Sequence, residues 1–452
     1  MIAGGALALV CAPGGGVRAT VRDTIAANAR PIRTIEAEPE DYDDLASFAE
    51  AVGDARIVQL GESSHGSGTD FKAKVRLVEF LHARMGFDVL VWESGLHAMR
   101  EVNAGFRAGV GSVAAARRGI FGIWSGAAEV KPLFDYAKLS QGGPRPLEMA
   151  GFDCQFTARG ADQALAASLG TFAGQLREPG LRTAAEADAA VALAAYAKVA
   201  AHTASEADVL TAEAAIDRLL AAMNRPEGPF ERVHGAREIG FMARALESLR
   251  AFTRLAFETL PGRPGAVSAQ SKDPTAFFNR REAQNAQNLR WLVEQGYPGR
   301  KLIVWAHNVH VINAAFAPAF SALRREPLPG DMVPMGLSTA RAFGKSVYTV
   351  GLTSFAGADR WVNSDAPATP IPTPGPNSLE ARLHELGRPY LFLNIRDLDP
   401  GERQRLGRRV FVPSPGTSAS SPNGLFPGPD VVAAFDGVLF IDQAQPATPL
   451  AT

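Results

Sequence analysis

Short apolar runs that stop abruptly on an acid, an imidazole or a glycine turn constrain this chain more than any other feature. Residues 55–60, 88–93, 146–152 and 301–306 are runs of largely apolar side chains that read as buried strands. Between the first two, Phe71, Val75, Leu77, Val78 and Leu81 recur at helical spacing within residues 70–85. Strands alternating with helices predict an α/β chain: a mostly parallel central sheet flanked by helices. Further strands are expected at residues 346–353, 389–394, 408–412 and 437–442, which would complete the sheet.

Between residues 157 and 297 no strand pattern appears, while alanine, leucine and glutamate accumulate over 183–223 and 230–260. These are helix-favouring compositions. The block therefore reads as a large helical insertion covering the active-site edge of the sheet, with 261–274 as a connecting loop. Residues 367–377 and 413–429 read as Pro-rich surface loops. Residues 1–30 are expected to be a leader or flexible N-terminus, and 31–452 a single catalytic α/β domain carrying the insertion. An apolar stretch over residues 2–12, then Pro13 and three glycines, resembles a signal peptide, although no Lys or Arg precedes it. The expected location is cytoplasmic, or exported if residues 1–17 act as a truncated leader.

Composition narrows the partners. Hydrophobic residues at 46% and charged residues at 21% are typical of a folded core rather than of disorder. Lys plus Arg number 46 against 47 for Asp plus Glu, which leaves no excess to attract nucleic acid or an anionic membrane. No run approaches the roughly 20 apolar residues needed to span a bilayer. With only Cys11 and Cys154, neither a disulfide framework nor a four-cysteine zinc site is expected. A small, uncharged ligand fits best.

Chemistry gathers where the strands end. The first runs into Gly61, Glu62, Ser63, Ser64, His65 and Gly66, with glycines that permit tight turns. The second delivers Glu93, and the run at 301–306 ends in His307, Asn308, Val309 and His310. Parallel strands place their carboxyl ends on one edge of a sheet, so Glu62, His65, Glu93, His307 and His310 are expected in one cleft. Histidine suits the task of taking a proton from water near neutral pH. His65, oriented by Glu62 or Glu93, is the expected base, with His307 or His310 as the alternative. Ser63 and Ser64 lack the Gly-x-Ser-x-Gly spacing of a serine nucleophile. Two other readings remain open: a metal-dependent hydrolase using the same His and Glu residues, and a non-catalytic protein that binds haem or another small ligand. His82, His97, His202, His234 and His384 stand isolated and read as structural or solvated.

Gly-Glu-Ser-Ser-His-Gly at 61–66, Val-Trp-Glu-Ser-Gly at 91–95 and Trp-Ala-His-Asn-Val-His at 305–310 resemble the signature blocks of the erythromycin esterase family. Weaker matches follow in the same order: Trp124 with Glu129, Gly151-Phe152-Asp153, the helix with Arg281, Asn285 and Asn288, and Met335-Gly336 leading to Tyr348 and Gly351. The resemblance covers about residues 54–351. It implies hydrolysis of an ester or macrolide lactone without metal or other cofactor, in a site lined by Glu62, His65, Glu93, His307 and His310. Lys74, Arg281, Trp124 and Asp153 are then expected to bind substrate, with Lys74 or Arg281 stabilising the oxyanion. Lys74 stands where the family often has arginine, which keeps the charge but loses the planar fork.

Overall fold

The computed structural model describes residues 20–37, 41–259, 274–316, 331–376, 378–407, 411–413, 425–427 and 430–451. The leader expected at 1–17, with Cys11, lies outside the described residues. So do residues 261–273 of the connecting loop and most of the Pro-rich stretch 413–429.

Among the described residues the strands are, in order, β1 (Ala29–Pro31), β2 (Ile57–Leu60), β3 (Val89–Gly95), β4 (Glu148–Asp153), β5 (Leu302–Trp305), β6 (Val347–Asp359), β7 (Thr369–Pro370), β8 (Tyr390–Asn394), β9 (Phe411–Pro413), β10 (Leu425–Pro427) and β11 (Gly437–Ala444). The main sheet runs β1-β8-β11-β6-β2-β5-β3-β4, with β7 pairing to β6. Its six strands from β11 to β4 are mutually parallel. β8 runs antiparallel to both β11 and β1. The central sheet flanked by helices is the architecture expected from the sequence.

Two details differ from expectation. The described part of the strand expected at 408–412 lies in β9, which pairs among the described residues with β10 rather than with the main sheet. Pro413 and Pro427 each lack a donor for a wider ladder. The segment from Thr20 onward, included in the expected flexible N-terminus, forms helix Val21–Asn28 and then edge strand β1. Thr20 caps that helix reciprocally with Asp23.

β2 is buried along its whole length because both faces are covered. Val58 and Leu60 join Leu90, Trp92, Ile303 and Trp305 in one layer, with Phe71 and Val78 of helix Gly68–Met85. Ile57, Val89, Val91, Leu302 and Val304 turn the other way, onto Leu289, Leu292 and Met335. Each such side chain contributes about 1.5–3 kcal/mol when fully buried, which fixes the register of these short strands against a one-residue slip.

From β2 the chain passes to β3, β4 and β5 on one side of β2, then crosses to β6 on the other. In open α/β sheets such a reversal of strand order is where ligands bind, outside the carboxyl ends of the strands. Between β4 and β5 lie helices Ala161–Gly174, Pro179–Ala200, Glu206–Met223, Ala236–Thr259 and Pro274–Trp291, and no strand among the described residues. The first four build a core of their own that closes on Leu96, just past the end of β3. No helix among the described residues is long and apolar enough to cross a membrane.

Candidate active site

The end of β2 turns into the 61–66 loop beside β5 because Gly61 has no side chain. A Cβ there would lie 2.0 Å from Asn308 Oδ1. Asn308 needs that space. Its amide bridges Leu352 N and O at 3.1 and 2.7 Å, tying the end of β5 to β6.

Three donors converge on the fully buried Glu62. His65 Nδ1 lies 2.6 Å from Oε1, Lys74 Nζ 2.7 Å from Oε2, and Trp124 Nε1 3.2 and 3.3 Å from the two oxygens. A carboxylate only accepts, so Nδ1 of His65 carries a proton; in the neutral imidazole the lone pair is then on Nε2. No described residue bonds His65 Nε2. His65 is flanked edge-on by Trp124, His307 and Trp361, at ring distances of 5.4, 5.1 and 5.6 Å. Its side chain keeps 11% of its surface exposed, against 0% for Glu62 and Lys74. Lys74 also donates to Ala306 O at 3.0 Å and lies 4.1 Å over the Trp305 ring. Burial pulls its pKa down, against the pull of Glu62.

The other two histidines are fully engaged. His307 Nε2 donates to Ser63 O at 3.1 Å, and its Nδ1 accepts from Val309 N at 3.0 Å. Burial, with His65 nearby, holds His307 well below the usual histidine range, hence neutral. His310 meets a carboxylate at each ring nitrogen: Glu282 Oε1 at 2.8 Å and Glu93 Oε1 at 2.9 Å. Burial opposes its charge, but those two carboxylates prevail and push it up to about 10. It is an imidazolium at neutral pH. Glu93 also accepts His307 N at 3.0 Å and Arg281 Nη2 at 3.1 Å. Burial would raise its pKa, yet His310, His65 and Arg281 hold it well below the usual carboxylate range. Arg281 forks onto Asp153 through Nε and Nη2, and its Nη1 meets no carboxylate among the described residues.

The five residues expected at strand ends thus meet in one place. On three points the geometry departs from the sequence reading. His310, offered as an alternative base, is already protonated. Its partner His307 has both ring nitrogens occupied. Lys74, Trp124 and Asp153, expected to touch substrate, are at most 1% exposed and hold Glu62 and Arg281 from behind. Glu282, Asp70 and Trp361 were missed. Ser67-x-x-Asp70 was visible as a capping pattern, whereas nothing marked Glu282 or Trp361. Of the isolated histidines, His82 bonds Tyr136 and Arg145 O, His234 bonds Phe172 O, and His384 pairs with Asp442.

The erythromycin esterase family model matches residues 82–444. The chain belongs to the erythromycin esterase family. That match begins at His82, so the 61–66 loop precedes it, and its link to the other blocks is the geometry above. A Bacillus subtilis (strain 168) protein named "Putative hydrolase YbfO" is 26% identical over 388 residues, 81% of this chain and 80% of that one. Three solved structures share the fold of this family member. A Bacillus cereus protein has a TM-score of 0.77 at 18% identity, covering 95% of this chain and 98% of that one. A succinoglycan biosynthesis protein has 0.70 at 19%, covering 95% and 97%. A His-to-Asn mutant of the erythromycin esterase EreC, in its open conformation, has 0.63 at 17%, covering 92% and 98%.

Proposed function

We propose that this member of the family is a hydrolase in which His65, aimed by Glu62, takes a proton from the water that attacks an ester or lactone carbonyl. One observation carries the reading: of the three histidines at the site, only His65 keeps a ring nitrogen without a partner among the described residues. As the water is deprotonated, the imidazolium forms against Glu62, which is already in place to stabilise it. Nη1 of Arg281, which meets no carboxylate among the described residues and lies 3.4 Å from His310 Nε2, is the donor suited to the developing oxyanion. Asp153 and Glu93 hold that guanidinium so that it does not have to reorganise. The names of the B. subtilis relative and of EreC support hydrolysis and an ester of the erythromycin kind respectively.

A panel of macrolides, read by mass spectrometry for the gain of one water, and p-nitrophenyl acetate, read by release of p-nitrophenolate, test the activity. His65→Ala is expected to lower turnover about 100- to 10,000-fold while leaving the fold intact. Wild-type turnover in the folded variant would remove His65 from the mechanism. Activity is also expected to survive EDTA and desalting, because His310 is protonated and both His307 nitrogens are bonded. Loss restored by added zinc would favour a metal-dependent reaction.

A further inference from the structure

A base is only as effective as the loop that aims it, and the 61–66 loop is fixed from outside. Ser63, between Glu62 and His65, makes three bonds that decide where its neighbours point. Its N–H donates to Asp70 Oδ2 at 2.6 Å, its hydroxyl donates to the same oxygen at 2.7 Å, and its carbonyl accepts His307 Nε2 at 3.1 Å. Asp70 Oδ1 accepts the Ser67 hydroxyl at 2.9 Å, which closes the loop on the far side of His65.

Asp70 stands in the first turn of helix Gly68–Met85, with Ser67 as N-cap. An ordinary capping acid would reach back to the N–H of the cap residue. Here Ser67 N bonds Ser64 O instead, and the carboxylate reaches past it to Ser63. Helix capping alone needs only the bond from Asp70 N to Ser67 Oγ, at 3.2 Å. It does not require a carboxylate that is 0% exposed, which is costly to bury. Burial pushes this carboxyl up to about 6, while the Ser63 and Ser67 donors pull it back down.

We infer that Asp70 is a positioning residue for the base: through Ser63 it sets the geometry in which Glu62 meets His65. The inference rests on the reading of His65 as base. Asp70 touches neither water nor ester and acts through the loop. A displacement of about 1 Å at a reacting group can cost about 100-fold in rate, so loss of the clamp is read in turnover.

The test uses the full chain with Asp70→Ala, Asp70→Asn and Ser63→Ala. Turnover and KM are measured on p-nitrophenyl acetate, the His65 ring is followed by long-range proton–nitrogen NMR, and thermal midpoints are recorded. Asp70→Ala is expected to lower kcat about 10- to 100-fold with little change in KM, and to alter the His65 Nδ1 resonance. Asp70→Asn keeps an acceptor oxygen for Ser63 and is expected to recover part of both. Ser63→Ala, which keeps the N–H, should fall between wild type and Asp70→Ala. If Asp70→Ala fails to fold, the other two variants carry the comparison. Unchanged His65 resonances in the folded variants, or a kcat loss that only follows the thermal midpoint, would overturn the inference. If the wild type hydrolyses nothing, the base reading fails, and the His65 resonances still decide whether Asp70 positions that ring.

Discussion

At the scale of single residues, His310 is the unusual group, because two carboxylates grip it from opposite sides and leave it no neutral state near physiological pH. Its folded pKa of about 10 lies above the ordinary histidine value, so its stabilising contribution is fully present below about pH 6.5. That contribution is lost as pH rises toward 10. The gap in thermal midpoint between wild type and His310→Asn is therefore expected to be widest near neutrality and to narrow steadily to about pH 10. Lys74, whose depressed pKa acts in the opposite sense, is common to both proteins and drops out of the difference. A gap that stays constant over that range would mean a neutral His310. On the acid side, Glu93 works the other way: its lowered pKa gives stability that is present above about pH 4.5 and falls away on acidification.

At the scale of elements, β6 and helix Leu379–His384 enclose a buried acid away from the site. Glu380 is 0% exposed and accepts the Thr353 hydroxyl at 2.8 Å. Burial outweighs its hydrogen bonds and raises its pKa to about 7. Stability from a raised carboxyl is present below the unfolded value and lost as pH rises through the folded one. Glu380→Gln is thus expected to raise the unfolding midpoint at about pH 8 and to change it little at about pH 5. An equal gain at both, or a loss at the higher pH, would contradict this. Elements with an apolar run cut off by a polar residue were legible in the sequence, which is why β2, β3 and β5 and the five residues at their ends could be named in advance. β1 was not, since Ala29, Arg30 and Pro31 carry no strand pattern and are held by pairing with β8. β6 was read too short, because beyond Thr353 its residues other than Phe355 are small or polar, and those after Ser354 are only partly covered. The supporting partners were the least legible. Asp70 and Glu282 look like ordinary helical acids, and what makes them matter is a donor supplied by another segment: the 61–66 loop for one, His310 for the other.

At the scale of the whole molecule, the block between β4 and β5 holds two kinds of helix. Helix Pro274–Trp291 is bound to the strand ends through Arg281 on Asp153, Glu282 on His310, Asn285 on Cys154 N and Asn288 on Phe152 O. Helices Ala161–Gly174, Pro179–Ala200 and Glu206–Met223 instead pack into a core with Ala236–Thr259. Segments with separate cores open as separate cooperative units. Hydrogen exchange read by mass spectrometry is expected to show those three helices exchanging together and earlier, and Pro274–Trp291 exchanging with β2 and β5. Uniform exchange across the block would mean one unit.

The aromatic rings beneath His65 also give the protein an optical property. Of its 5 tryptophans, all but Trp291 belong to one chain of contacts. Trp92 stacks on Trp305 at 4.6 Å and meets Trp124 at 6.0 Å, while Trp124 and Trp361 flank the His65 ring. Whatever changes the charge on that imidazole changes the field around most of the ultraviolet chromophores at once. The emission colour and yield of the untouched protein are then expected to follow the state of that ring, with neither a label nor a substrate.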